Sequence, residues 1–315
     1  MSTSILLPLH FKQITSLEKQ HVSYIEQAIL EAIRQDQSLI ISVTCDEIKA
    51  HVDCLDAIWQ RLQAFLGNIY VVQLQFTYTL NKPLFECNVV FSDLCGYNVH
   101  LEPYIQTICI PEDHLHDKHT TNFILKNDYK PTQKVPTLLT HNKSSNGPIE
   151  PSVFQRIAVG GTFDHIHAGH KILLTMTAIL AKQSMVVGVT DDCMLLKKKH
   201  KELIASTTER IQHVKTYLEL VKRSTDDFKY EVVPIKDPFG PTVTDPTIDA
   251  LVVSKETLKG GDLVNNERDM RGYPPLELRI IDVISSENAS IGEQDMNILK
   301  ISSSWIREYI ATKQS

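Results

Sequence analysis

Five short apolar segments in the second half of the chain, alternating with stretches of helical spacing, restrict the architecture more than anything else in the sequence. Arg156–Val159 runs into Gly160-Gly161, Met185–Thr190 is a continuous buried strand, and Phe228–Pro234, Ala250–Ser254 and Leu278–Ile284 repeat the pattern. Between the first three, Lys171–Lys182 reads as an apolar helix and Thr207–Lys222 as an amphipathic one, opened by Ser206-Thr207-Thr208-Glu209 in the manner of a capping box. A last helix follows Ile301-Ser302-Ser303-Ser304. Short strands apolar throughout must be covered on both faces, so the sequence predicts an α/β domain with a five-stranded parallel sheet. Ligands of such sheets sit at the carboxyl ends of the strands, which places Gly160–His170, Thr190–Lys199 and Ser254–Gly261 around one crevice.

The first half also alternates helix and strand. Ile25, Ala28, Ile29, Ala32 and Ile33 keep helical spacing, Leu39–Val43 is a short apolar run, and Ile58, Leu62, Phe65 and Leu66 mark a second helix. Val72, Leu74, Phe76 and Tyr78 alternate with Gln73, Gln75 and Thr77, which predicts a strand with one wet face. Residues 128–152 are rich in Pro, Ser, Asn and Lys and lack a period, so they read as a linker. The division is a separate N-terminal α/β domain over 1–127, the linker, and a second domain over 153–315. Glu112, Asp113, His114, His116, Asp117 and His119 could be imagined as a metal site; without a scaffold strand or a distant fourth ligand they read as a polar loop.

Charge and cysteine usage narrow the partners. The net charge is −6, but residues 1–150 hold 11 basic and 16 acidic side chains against 21 and 22 in the remainder, so an anionic ligand belongs to the second half. The acidic balance argues against non-specific nucleic-acid binding. No apolar run reaches the length of a membrane span, and the N-terminus lacks a basic segment and a full apolar stretch, so a soluble intracellular protein is expected. The six cysteines have no C-x-x-C spacing and are expected as reduced, mostly buried thiols.

The chemistry concentrates in Val159-Gly160-Gly161-Thr162-Phe163-Asp164-His165-Ile166-His167-Ala168-Gly169-His170. Paired glycines let the backbone turn and approach a ligand, and the helix beyond offers free N–H groups and a positive dipole to an anion. His167 and His170 flank Gly169 at the helix entry, so both rings can face one phosphate. It is neither a Walker loop nor a G-x-G-x-x-G turn.

This segment resembles the H-x-G-H signature of the nucleotidyltransferase superfamily, and VGGTFDHIHAGHKILL is similar to the eukaryotic-type phosphopantetheine adenylyltransferases. The superfamily's second signature resembles Ile301-Ser302-Ser303-Ser304-Trp305-Ile306-Arg307. Gly188–Asp191, the lysines ending at Lys199, Asp237–Pro241, Asp245-Pro246, Val252–Thr257 and Asn265 with Arg268 extend the likeness over about 155–312 and leave the first half unexplained. The resemblance implies a Rossmann-like nucleotidyltransferase domain that transfers an adenylyl group from ATP to 4′-phosphopantetheine in coenzyme A biosynthesis. By the same resemblance His167 and His170 contact the α-phosphate and the departing oxygen, Thr162 binds the attacking phosphate, and Lys199 or Lys198 balances its charge. Gly160, Gly161 and Phe163 join the ATP site, Ser302, Ser303, Ser304 and Arg307 take the pyrophosphate end, and Ser254 belongs to the phosphopantetheine site. Mg²⁺ is expected on the ATP phosphates, with no metal held by the protein alone. In animal relatives a P-loop kinase follows this domain; here the chain stops at Ser315 without a Walker loop. A separate dephospho-coenzyme A kinase, in a complex with other enzymes of the route, is therefore expected, in the cytoplasm or, from Lys197–Lys201, the nucleus.

Three blander readings compete. Asp164 and His165 can be turn and capping residues, Lys197–Lys201 a solvated face, and Trp305 with Ile306 core contacts. Asp164, His165, His167 and His170 as ligands of a metal-dependent hydrolase is a rival, opposed by Gly169 standing where such a motif needs Asp. A scaffold with lost activity is the non-enzymatic alternative, opposed by the intact polar residues of both signatures.

Overall fold

The computed structural model describes residues 3–111, 123–127, 154–281 and 302–314. Strands and helices largely alternate: β1 (Ser4–Phe11), α1 (Lys19–Arg34), β2 (Ser38–Cys45), α2 (Asp46–Ala50), α3 (Trp59–Thr79), β3 (Cys87–Phe91), β4 (Ile105–Pro111) and β5 (Phe123–Asn127) form the first half. The second half contains β6 (Phe154–Gly161), α4 (Ala168–Leu180), β7 (Ala181–Thr190), α5 (Thr207–Val221), β8 (Lys229–Ile235), β9 (Ala250–Ser254), α6 (Leu258–Met270), β10 (Glu277–Ile281) and α7 (Ser303–Gln314).

Each half builds its own five-stranded sheet, ordered β3-β2-β1-β4-β5 and β10-β9-β6-β7-β8. All pairings of the second sheet are parallel. In the first, only β4 with β5 is antiparallel. The five strands expected in the second half are thus present, the last described only to Ile281. Ser206 and Glu209 close the expected capping box reciprocally: Ser206 N–H donates to Glu209 Oε2 at 2.9 Å, and Glu209 N–H to Ser206 Oγ at 3.3 Å.

One expectation is overturned. Val72, Leu74, Phe76 and Tyr78 lie inside α3, not in a strand. The alternating polar residues misled because Gln73 and Thr77 are buried rather than wet, and satisfy each other one turn apart, Gln73 Nε2 donating to Thr77 Oγ1 at 3.2 Å. The strand β1 went unread. Pro8, which has no N–H for a ladder, sits in its middle opposite Ser42, yet β1 is the central strand of its sheet.

The two sheets share one apolar core, in which Ile5, Leu62 and Val89 belong to the same cluster as Ile172, Val187 and Leu218. All six cysteines are free, and Cys45, Cys87, Cys95 and Cys109 are buried. Among the described residues no helix is long and apolar enough to cross a membrane. The acidic, histidine-rich loop 112–119, the linker 128–152, and residues 282–284 and Ile301 lie outside the described residues.

Candidate active site

The crevice forms where β6 and β7 end. Gly160 and Gly161 remain in the ladder, opposite Gly188 and Val189, and the chain then turns at Phe163, whose φ of +47° is a left-handed conformation that bulky residues rarely adopt. The Phe163 ring is wholly buried beneath the turn, so close that a Cβ on Gly161 would meet its Cζ at 3.0 Å. Gly161 lets that ring pack against the backbone, and a side chain there would press on it.

His167 caps α4 and His170 lies in its first turn, with ring centroids 4.0 Å apart and nearly stacked. A side chain at position 169 would meet His167 Cε1 at 3.1 Å, so the glycine between the histidines makes room for the ring. His170 Nδ1 lies 2.9 Å from the carbonyl of His165. A carbonyl only accepts, so Nδ1 carries the proton and Nε2 presents its lone pair. Burial pulls the His170 pKa down to about 4, and burial followed by the neighbouring His170 and Lys171 holds His167 well below the ordinary imidazole range. The first intrahelical bond runs from Lys171 N–H to the His167 carbonyl, leaving the N–H groups of the preceding turn available to an anion.

The second signature closes on the first. Arg307 is buried and donates from Nη1 to Asp164 Oδ2, from Nε to the Lys199 carbonyl at 2.9 Å and from Nη2 to Ser304 Oγ at 3.1 Å. The resemblance implies a pyrophosphate contact for Arg307; in this structure these donors face protein acceptors instead. Ser302 Oγ accepts from Trp305 N–H at 3.3 Å as the cap of α7. Lys199 reaches Glu308 at 2.8 Å while remaining exposed, as is Lys198. Ser254, two residues beyond the Val252 that pairs with Val159, stands level with Gly161, and its hydroxyl is 3.0 Å from Thr257 Oγ1. The fold therefore brings Thr162, His167, His170, Lys199, Ser302 to Ser304 and Arg307 to one end of the sheet, with Ser254 at its flank. Asp164, His165, His167 and His170 do not form a metal cluster, and no group of three or more His, Cys, Asp or Glu among the described residues could hold one.

Two residues of the site escaped the sequence reading. Asp164 reads in the sequence as a turn residue, and in the structure it is the buried partner of Arg307. Arg210 is wholly buried and donates to the carbonyls of Thr162, Thr190 and Ala205, to Asp192 Oδ1 and to Thr207 Oγ1, all between 2.7 and 3.0 Å. The available signal was a charge on the apolar stripe of α5, in line with Val214, Tyr217, Leu218 and Val221.

Known proteins match the same region. The family model described as cytidylyltransferase-like matches residues 158–309. A phosphopantetheine adenylyltransferase of Pyrococcus abyssi is 36% identical over 155 residues, 49% of this chain and 89% of that protein. This chain belongs to the phosphopantetheine adenylyltransferase family. Two other relatives match over a smaller share of their length. The Saccharomyces cerevisiae phosphopantetheine adenylyltransferase is 39% identical over 54% of this chain and 53% of its own, and an uncharacterized protein of Schizosaccharomyces pombe is 45% identical over 49% and 48%. The chain thus spans about half the length of these two curated relatives it matches. The family match begins at residue 158, so the first sheet lies outside it.

Proposed function

We propose that this chain transfers the adenylyl group of ATP to 4′-phosphopantetheine, giving dephospho-coenzyme A and pyrophosphate. The observation that carries the reading is the meeting of both signatures, Arg307 on Asp164, at the strand ends of a domain that aligns with most of an archaeal enzyme of that name.

The acceptor's phosphate monoester has a second pKa of about 6 and is largely dianionic at neutral pH, so it needs no strong general base. One of its oxygens attacks the α-phosphorus in line, the bond to the β-phosphate breaks, and pyrophosphate departs. The protein's part is to align the two phosphates and offset charge as it builds. In this reading Thr162 and Ser254 hold the acceptor, Lys199 with Lys198 balances its charge, and Gly160, Gly161 and Phe163 shape the floor beneath ATP. His167 and His170 face the α-phosphate. Ser302, Ser303 and Ser304 receive the pyrophosphate end, with Arg307 behind them fixing Ser304. Mg²⁺ enters on ATP as part of the substrate and offsets charge on the leaving group. A cytoplasmic location and a complex with other enzymes of the same route complete the reading.

The test is a pyrophosphate-release assay with Mg-ATP against a panel of phosphorylated acceptors. Turnover with 4′-phosphopantetheine is expected. Turnover with nicotinamide mononucleotide and none with phosphopantetheine would reassign the substrate.

A further inference from the structure

The first half of the chain touches both signature helices through side chains outside the reacting groups. Lys171 directly follows His170, yet its side chain is only 7% exposed, and its ammonium donates to Glu86 Oε1 at 2.9 Å and to the Cys87 carbonyl at 2.8 Å, where β3 begins. A buried ammonium must keep its acceptors, so the start of α4 is tied to the edge strand of the first sheet. From the other side, Tyr217 on α5 donates its hydroxyl to the Lys171 carbonyl at 3.1 Å. In the second signature the Trp305 ring lies 5.7 Å from that of Tyr78, in the last turn of α3.

Between these two ties the halves do not pack solidly. A cavity of about 520 Å³ separates them, lined by Tyr70, Glu86 and Asn88 on one side and by Asp164, His167 and Ile306 on the other. Four of its lining residues, Asn88, Asp164, His165 and His167, have a buried side-chain atom without a hydrogen-bond partner. Over this stretch the 164–168 loop borders open space, and beyond the Arg307–Asp164 pair and the bond at the His165 carbonyl it gains support from the first half at either edge.

We propose that the N-terminal half is a positioning element for adenylyl transfer, holding the start of α4 through Lys171 and the start of α7 through Trp305 so that the two signatures keep one separation. This rests on the adenylyl-transfer reading. Lys171 and Trp305 are positioning residues, and Glu86 and Tyr78 are their counterparts in the N-terminal half.

The experiment uses the full chain with Lys171→Met, which keeps length and removes charge, Glu86→Gln as a milder change should that variant not fold, and Tyr78→Ala. Each is measured for kcat and KM and for amide hydrogen exchange. The expected result is a fall in kcat of about tenfold or more with smaller changes in KM, since misplacing the reacting groups by about 1 Å costs up to roughly a hundredfold. Exchange should quicken at 165–172 in the Lys171 and Glu86 variants and at 302–308 in the Tyr78 variant, with β7 still protected. A purely structural role would lower the amount of folded protein but not kcat per folded molecule. Unchanged kcat and unchanged exchange at both segments would overturn the proposal. If the wild-type chain forms no dephospho-coenzyme A, the reaction assignment fails, and exchange alone decides for or against the positioning role.

Discussion

Arg307 in α7 donates to the carboxylate of Asp164 in the loop before α4, across a separation of 143 residues, and both side chains are out of water. This pair is the physical reason the two signatures work as a unit. The guanidinium also holds the Lys199 carbonyl, so the loops after β6 and β7 and the start of α7 meet at one planar group whose fork suits several acceptors at once.

Removing one member of this pair strands a buried charge, which typically costs about 3–5 kcal/mol. Asp164→Ala and Arg307→Met are each expected to lower stability on that scale, and the double variant to lose less than the sum of the two. Urea denaturation of the four proteins in the cycle measures this. Strict additivity would mean that the pair is not coupled.

Much of the second half was legible because its constraints are local. Strands apolar on both faces announce a covered parallel sheet, and paired glycines after a strand announce the turn into α4. Most of what stayed hidden depends on partners distant in sequence. Arg210 accounts for carbonyls 48 and 20 residues away, and no local pattern marks them. Lys171 reads as the polar start of an apolar helix until β3 is placed beside it. Gln73 and Thr77 read as a wet face because a polar residue satisfied by its neighbour one turn away cannot be told from one satisfied by water.

Gly169→Ala separates stability from function. Alanine is favoured over glycine inside a helix by up to about 1 kcal/mol, so the folded protein should hold its Tm or gain slightly. The added methyl would stand 3.1 Å from His167 Cε1, so the ring must give way by a few tenths of an ångström and shift against His170, on which it stacks at 4.0 Å. A kcat reduced by about tenfold or more with unchanged Tm is expected from that displacement. Calorimetry and steady-state kinetics on the same preparation check it, and full activity would show that the stacked arrangement is dispensable.

The two half-buried histidines at the start of α4 give a pH dependence of stability. The His170 pKa falls from its ordinary 6.5 to about 4 through burial, and His167 is displaced in the same direction. Between those values the unfolded chain binds a proton that the folded protein refuses. The contribution is therefore complete above pH 6.5 and is lost as the pH falls toward 4. Urea midpoints should decline on acidification through this window, and His170→Asn should flatten part of the decline; midpoints that rise would contradict the sign. Docking of a phosphate against Nε2 requires a proton there, so ATP should raise the His170 pKa, visible in imidazole nitrogen shifts during a titration. In the same protein His170→Ala should lower adenylyl transfer by about two orders of magnitude or more with the fold intact, if the ring stabilises charge on the α-phosphate. Turnover close to wild type would remove His170 from the mechanism.

Arg210 offers the sharpest test of how the crevice is assembled. Its five hydrogen bonds reach the Thr162 carbonyl on one side of the site and the Thr190 carbonyl on the other, while Ala205, Asp192 and Thr207 fix the entry to α5. A lysine at this position has one nitrogen and cannot span these acceptors. Arg210→Lys would leave half-buried carbonyls unpaired, each costing up to about 1–3 kcal/mol, so a net loss of roughly 3 kcal/mol is expected after partial rearrangement. Thr162 would be freed from its anchor while α7 and Ser302 to Ser304 keep theirs. KM for the phosphorylated acceptor should consequently rise more than KM for ATP, and substrate-saturation curves for each at fixed saturating partner measure the difference. An equal rise in both constants would place Arg210 in general stability rather than in the geometry of the acceptor side.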